Sequence, residues 1–131
     1  MLFRSEGTFT AQTSNVQFKG QAAQSIGFST NAVNTTFFNL TIDNDGNAVT
    51  IDSAAVNVTG VVSLREGTLQ TQPGSLTLIS NSTGSSSVGP ITSGASISGN
   101  VILQRWIPSI PNVQGYWVNL GCPIQGQTLA A

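Results

Sequence analysis

The amino-acid sequence predicts an all-β protein, and the architecture that it favours is a parallel β-helix, also called a β-solenoid. Apolar and polar residues alternate with a period of two in many short segments, and no segment sustains a helical period. Loosely similar motifs follow one another at short intervals, as in residues 39–44, 48–53 and 56–60. In a solenoid, each such motif adds short strands to a stack whose inward aliphatic side chains form one continuous core.

The predicted strands are short and are separated by residues that favour turns. In chain order, the strands are predicted over residues 8–12, 15–19, 25–29, 35–42, 48–51, 56–64, 68–71, 76–79 and 101–107. Turn signals stand at residues 20, 43–47, 60, 66–67, 73–74 and 99–100. The alternation within the strands, as in VNVTGV at residues 56–61, allows each strand to turn one face inward.

An antiparallel β-sandwich is the alternative fold, because its turn signals would have similar spacing. A sandwich built from tight hairpins would repeat Asn-Gly or Asp-Gly pairs between its strands. Here Asp45-Gly46 is a single case. The solenoid is therefore the preferred prediction.

The composition changes along the chain and predicts three regions. Residues 1–80 are assigned to solenoid coils, residues 81–99 to a Ser/Gly-rich loop or the last coil, and residues 100–131 to an aromatic segment. All six phenylalanines precede the Ser/Gly-rich region, while both tryptophans and the single tyrosine follow it. The last region is expected to cap the solenoid or to connect it to a following domain.

The low charge and the missing histidines exclude several classes of function. The 131 residues include four basic and five acidic ones, for a net charge of −1, so nucleic acid is not an expected partner. No apolar run approaches the roughly 20 residues that cross a bilayer, so membrane insertion is not expected. Histidine is absent and cysteine occurs once, which removes His-dependent triads and zinc sites built from Cys and His. We expect no catalytic residues, metal or cofactor.

Three motifs carry a family resemblance that covers most of the chain. TFFNLTIDN at residues 36–44 is similar to the coil "T-x-F-x-N-L-x-I-x-N", and residues 56–69 are similar to "V-x-G-x-L-x-L-x-x-G-x-L". Residues 99–108 followed by 115–124 resemble "G-x-V-x-V-x-R-[YW]-I-P" and "G-[YW]-R-x-L-S-S-P". These motifs resemble the β-helical repeat region of large surface and adhesin-like proteins of the Bacteroidota, which are exported by type IX secretion. The resemblance implies an extracellular location at the cell surface.

Residues 100–129 are expected to cap the open end of the solenoid. An open end exposes strand edges and apolar side chains, which must be covered. Large amphipathic rings bury much apolar area while their polar tips keep a partner, and an arginine can stack on such a ring or bond to carbonyl groups. The expected capping residues are Arg105, Trp106, Pro108, Tyr116, Trp117 and Pro123.

A carbohydrate site is the alternative role for the same aromatics. Sugar faces pack well on aromatic rings, and Trp106, Tyr116 and Trp117 could form such a platform with little charge nearby. The prolines around them favour a fixed, buried turn path, and therefore favour the cap.

Aspartates at the predicted turns raise two further possibilities. Residues 43–47 resemble the start of a calcium loop, but the acid expected at its twelfth position is replaced by Ala54. Asp43, Asp45 and Asp52 could be imagined as the acids of a β-helical glycosidase or lyase. The interpretation preferred here is an ordinary Asx-rich turn with solvated carboxylates.

Together these observations predict a noncatalytic structural or adhesive module of an extracellular bacterial surface protein. Its expected partners are adjacent domains of the same larger protein, a second copy in a homo-oligomer or fibre joined through the solenoid ends, and a surface glycan. Exposed terminal strands would allow association by strand addition. A carbohydrate-binding module is the alternative function.

Overall fold

The computed structural model describes residues 2–4, 12–27, 34–52, 55–73 and 75–109. Within them, parallel strands stack as a β-solenoid of about 3 turns, which confirms the predicted fold class. The strands are β1 (Leu2–Arg4), β2 (Asn15–Lys19), β3 (Gln24–Gly27), β4 (Thr35–Phe37), β5 (Asn39–Asp52), β6 (Val56–Val58), β7 (Val61–Gln70), β8 (Leu76–Leu78), β9 (Ser80–Asn81), β10 (Gly84–Ser85), β11 (Ser87–Ile91), β12 (Ala95–Ser98) and β13 (Ile102–Leu103).

Each turn of the solenoid consists of three strand segments, here called the first, second and third legs. The first legs are β2, the start of β5, the start of β7 and β11. The second legs are β1, β3, the end of β5, the end of β7 and β12. The third legs are β4, β6, β8 and β13.

The strands of all three legs pair in parallel with the same leg of the next turn. Leu40 of β5, for example, lies beside Val16 of β2 on one side and beside Val62 of β7 on the other. Among the described strands, β9 and β10 alone pair antiparallel, as a short hairpin between the third and first legs. The alternative of an antiparallel β-sandwich is therefore wrong.

The core is a single column of stacked aliphatic and aromatic side chains inside the three legs. Because side chains alternate along a strand, every second residue points inward, and the parallel register places these residues directly above one another. Burial stabilises the stack by about 1.5–3 kcal/mol for each large aliphatic side chain. The core residues are Phe18, Ile26, Phe37, Leu40, Ile42, Val49, Ile51, Val56, Val58, Val62, Leu64, Leu69, Leu76 and Leu78.

Two predicted strands are divided by corners between the third and first legs. Residues 35–42 were expected as one strand, but β4 ends at Phe37 and β5 begins at Asn39. Residues 56–64 are divided in the same way, at Gly60. The Gly60 N–H donates to the Phe38 carbonyl oxygen at 2.7 Å, so the corners of neighbouring turns bond to each other. The sequence does not reveal these corners, because the alternation of apolar and polar residues continues on both sides of them.

The predicted turn at residues 43–47 is instead a bend inside the long strand β5. Asn44 is completely buried there, while Asp45 and Gly46 have φ values of 20° and 71°. The bend carries the chain from the first leg into the second without ending the strand. Its counterpart in β7 lies at Glu66 and Gly67, since the register pairs Asp43 with Glu66 and resumes after the bend.

The Ser/Gly-rich region and the segment after it form the last described turn. β11 and β12 pair in parallel with β7, and they occupy residues that could have formed a flexible linker. The strand predicted over residues 101–107 is shorter, because only Ile102 and Leu103 pair with β8. The strand predicted over residues 8–12 lies largely outside the described residues.

Candidate functional site

A continuous row of uncharged side chains runs along the outer face of the second leg. Ser25, Thr50, Gln70 and Ser98 are in register on four neighbouring strands, and a second row places Ala48 beside Thr68 and Ser96. These two rows together are here called the second-leg ladder. Their outward position follows from strand alternation, because the buried residues Val49 and Leu69 lie between them in sequence.

Hydrogen bonds along the stack fix several side chains of the second-leg ladder. Thr50 Oγ1 donates to Gln70 Oε1 at 3.0 Å, and the hydroxyl oxygens of Thr68 and Ser96 lie 3.0 Å apart. Adjacent strands are about 4.8 Å apart, so the ladder offers donors and acceptors at regular intervals along the solenoid axis. Such a surface suits many weak polar contacts with a repetitive, neutral partner.

The acidic residues of the bend connect neighbouring turns. Asp43 Oδ2 accepts a hydrogen bond of 2.8 Å from Gln17 Nε2 and lies 3.3 Å from Lys19 Nζ. Asp45 Oδ2 likewise accepts from Gln21 Nε2 at 3.2 Å. These carboxylates therefore have structural partners in the preceding turn.

Asp52 lies apart from Asp43 and Asp45, the other two possible acids of a glycosidase or lyase site. Asp52 lies at the far end of the second leg, whereas Asp43 and Asp45 lie at the bend before it. Within the described ranges, no group of three or more His, Cys, Asp and Glu side chains could hold a metal ion.

The C-terminal end of the described stack is open. Val88, Ile91 and Leu103 are in register with the buried Val62, Leu64 and Leu78 of the turn below. Their side chains are nevertheless 37%, 51% and 38% exposed. The inward residues Ala95, Ile97 and Val101 of the same turn are only partly buried. This apolar surface of the last described turn is here called the open end.

The first complete turn of the described stack, by contrast, has a buried inward face. The inward residues Phe18, Ile26 and Phe37 of this turn are 1%, 0% and 0% exposed. Among the inward residues whose burial is described, the exposed apolar side chains are therefore concentrated in the last described turn.

The predicted aromatic site lies partly inside the described residues. Trp106 is 45% exposed, and its backbone N–H donates to Ser80 Oγ at 3.0 Å, beside the short hairpin. Arg105 and Pro108 are exposed as well. Tyr116, Trp117 and Pro123 lie outside the described residues, so whether the rings assemble into a cap or a sugar platform stays a prediction.

Sequence reasoning missed the second-leg ladder and the buried Asn44. Each ladder residue is an unremarkable Ser, Thr, Ala or Gln, and its significance depends on the register between turns. Aligning the segments QSI, VTI and LQT at residues 24–26, 49–51 and 69–71 would have revealed the shared outward position.

The functional interpretation of this chain rests on its own sequence and structure. Comparison with protein-family models, with curated proteins and with solved structures gives no match. In the part of the chain that the structure describes, no helix has the length and apolar character needed to cross a membrane.

Proposed function

We propose that the chain is a noncatalytic structural and adhesive module of an extracellular bacterial surface protein. The observation that carries this proposal is the second-leg ladder, a row of uncharged, hydrogen-bonded side chains on a parallel strand stack. The resemblance to repeat regions of Bacteroidota surface proteins adds export by type IX secretion to the proposal.

The stack and the ladder suit adhesion for separate physical reasons. A continuous core and backbone pairing between turns hold the outer side chains in fixed positions, so little conformational entropy is lost when a partner binds. Uncharged hydroxyl and amide groups contact hydroxyl-rich partners without the cost of desolvating a charge. A neutral surface glycan is therefore the proposed ligand of the second-leg ladder.

Self-association through the solenoid ends is a further part of the proposal. The open end supplies the apolar surface and the strand edges that an end-to-end contact needs. A fibre also requires a complementary surface at the other end of the solenoid. Contact between two identical surfaces would give only a closed dimer. Adjacent domains of a longer protein could supply that second surface.

A carbohydrate-binding module that uses the aromatics is the second candidate. It is favoured by Trp106, which is 45% exposed and whose backbone N–H donates to Ser80 Oγ. In this alternative, Trp106, Tyr116 and Trp117 stack on sugar rings, and the second-leg ladder takes no part.

Co-sedimentation with insoluble neutral polysaccharides tests the proposed adhesive face. Gln70→Glu combined with Ser98→Glu places two charges on the ladder, and we expect it to weaken binding at least severalfold. The matched control is Asn57→Asp with Gln104→Glu on the third leg, which should bind like the original chain. Trp106→Ala distinguishes the ladder from the aromatic site of the second candidate. This variant should abolish binding only if the aromatic rings form the site.

Equal binding by the two double variants would reject the ladder as the adhesive face. Absence of binding to every neutral polysaccharide would reject the proposed ligand class. Surface location is tested independently by asking whether protease added to intact cells of the source organism removes the protein.

A further inference from the structure

The second-leg ladder is long along the solenoid axis and narrow across it. Four strands contribute one row, Ser25, Thr50, Gln70 and Ser98, whereas each strand contributes at most two positions to the ladder. Neighbouring strands lie about 4.8 Å apart, so the row is roughly 14 Å long. The two rows lie two residues apart on each strand, or roughly 7 Å. The direction in which the polar groups repeat is therefore the axis of the stack.

Exposed carboxylates lie on both sides of the ladder. On β5, Asp45 precedes the ladder positions at the bend, and Asp52 follows them at the end of the second leg. On β7, Glu66 precedes Thr68 and Gln70 in the same way. A ligand that ran across the strands would leave the uncharged surface after two side chains and would cover a carboxylate, which costs free energy. A ligand along the axis would stay on uncharged side chains over four strands.

The exposed side chains of the ladder can donate and accept hydrogen bonds. Gln70, Ser96 and Ser98 are exposed. Thr50 Oγ1 donates to Gln70 Oε1 at 3.0 Å, which leaves the N–H groups of the Gln70 amide to donate to a ligand. Because these side chains stand on paired strands, the distances between them are set before a ligand binds. A ligand gains most when its own hydroxyl groups recur at the same spacing.

We propose that the second-leg ladder binds a linear, extended neutral glycan whose chain lies along the solenoid axis. One sugar residue of an extended glycan has nearly the length of one strand spacing, about 4.8 Å. Consecutive sugar residues would therefore lie on consecutive strands, and the row from Ser25 to Ser98 would hold one sugar residue on each of its four strands. This inference rests on the proposed function and narrows its ligand class.

Glycans that coil or branch fit the ladder less well. In a coiled chain, the sugar residues advance less along the chain axis and turn their hydroxyl groups to different sides, so successive residues cannot contact successive strands. A branch beside the bound chain would project over Asp45 or Asp52, and covering a carboxylate without a partner is unfavourable. Extended, unbranched chains are therefore expected to bind better than coiled chains of the same sugar.

The length of the row sets the length of glycan that binds best. Each strand contributes weak contacts to the same ligand, and the contacts that follow the first are made within one complex. The dissociation constant should therefore fall severalfold with each added sugar residue until all four strands of the row are occupied. Further sugar residues should change it little.

Titration of the full-length chain with oligosaccharides of known length tests the proposal. Cello-oligosaccharides of two to six glucose residues are extended, whereas malto-oligosaccharides of the same lengths contain the same sugar but coil. Isothermal titration calorimetry should show the gain in affinity up to the tetrasaccharide in the cello series only. The cello tetrasaccharide should bind at least severalfold more tightly than the malto tetrasaccharide.

Two variants with the same substitution test the direction of the bound chain. Gln70→Glu places a charge inside the row, and its carboxylate can still accept the hydrogen bond from Thr50, so the gain with length should be lost while the fold is kept. Gln72→Glu is the matched control, because Gln72 is exposed two residues further along the chain, where only a glycan running across the strands would pass. This variant should bind the tetrasaccharide like the original chain.

Three results would overturn the axial glycan: equal affinities for the two series, no change in affinity with length, or equal weakening by Gln70→Glu and Gln72→Glu. Sedimentation with polysaccharides in the absence of any oligosaccharide binding would overturn it as well. The proposed adhesive face would survive each of these results if Gln70→Glu with Ser98→Glu still weakened sedimentation with polysaccharides. Failure of that double variant to weaken sedimentation would instead reject the ladder as the adhesive face.

Discussion

Gln24 Nε2 donates a hydrogen bond of 2.9 Å to Asn44 Oδ1, and this bond joins two turns of the solenoid from inside. Both side chains are buried, at 7% and 0% exposure. The Asn44 amide also donates to the carbonyl oxygens of Ala22 and Ala48. Asn44 therefore links the bend in β5 to the preceding turn and bonds to a backbone carbonyl within the bend itself, which fixes the position of the bend.

Asn44→Ala is expected to destabilise the solenoid by about 3 kcal/mol, because it removes the buried hydrogen bond from Gln24 Nε2 and two partly buried hydrogen bonds to the carbonyl oxygens of Ala22 and Ala48. The free energy of unfolding, measured by chemical denaturation, checks this value. Asn47→Ala is the matched control: Asn47 lies in the same bend, and its amide donates to the Asp45 carbonyl in an exposed position. Equal losses for both variants would show that the buried network contributes nothing special.

The buried Asn44 also illustrates what the sequence could and could not predict. Alternation and repeated motifs were sufficient to predict the fold class, because the inward aliphatic positions can be read from each short segment of the sequence alone. The run DNDGN at residues 43–47 has the composition of an exposed turn. Only the pairing with neighbouring turns places Asn44 inside, and pairing partners that lie a full turn away along the chain leave no local signal.

The open end and the second-leg ladder also differ in how far the sequence could predict them. The need to cover an open solenoid end could be predicted from the architecture alone, and Val88 and Leu103 now locate that end. The second-leg ladder could not be predicted residue by residue, since Thr50 and Gln70 become neighbours only through the register of the second legs. Side-chain surfaces that depend on register are thus harder to predict than the strands that carry them.

Gly67→Ala is expected to destabilise the protein much more than Gly46→Ala. Both glycines have positive φ, 81° and 71°, so each substitution carries about 1 kcal/mol or more of backbone strain. A methyl group at Gly67 would also overlap the Asn47 carbonyl oxygen of the adjacent turn, whereas nothing lies within 4 Å of the corresponding position at Gly46. Thermal and chemical unfolding of the two variants measure the difference, and similar stabilities would argue against close contact between the stacked bends.

Leu64→Ala is expected to cost about 2–5 kcal/mol, because it leaves a cavity in the centre of the stack. Leu64 is completely buried, and its neighbour in register is Ile42 on the turn below. Val61→Ala, in the same strand β7, should cost below about 1 kcal/mol, because Val61 points outward and is 38% exposed. Urea unfolding of both variants provides the comparison. A larger loss at Val61 than at Leu64 would contradict the assignment of inward and outward faces.

An insertion of two glycines between Ser82 and Thr83 is expected to leave the fold intact. These residues form the tip of the hairpin that joins β9 and β10, and both are exposed outside the three legs. Exposed loop tips usually tolerate such insertions. The Asn81 side-chain oxygen accepts hydrogen bonds from the Thr83 and Gly84 N–H groups, so a small local loss of stability is expected when the tip is lengthened.

The same insertion between Asn44 and Asp45 should unfold the chain. It would separate the first and second legs of one turn, which are held in register with their partners in the turns on either side. Far-ultraviolet circular dichroism and the unfolding midpoint of the two insertion variants measure this contrast. Equal tolerance at both positions would mean that the bend does not set the register of the stack.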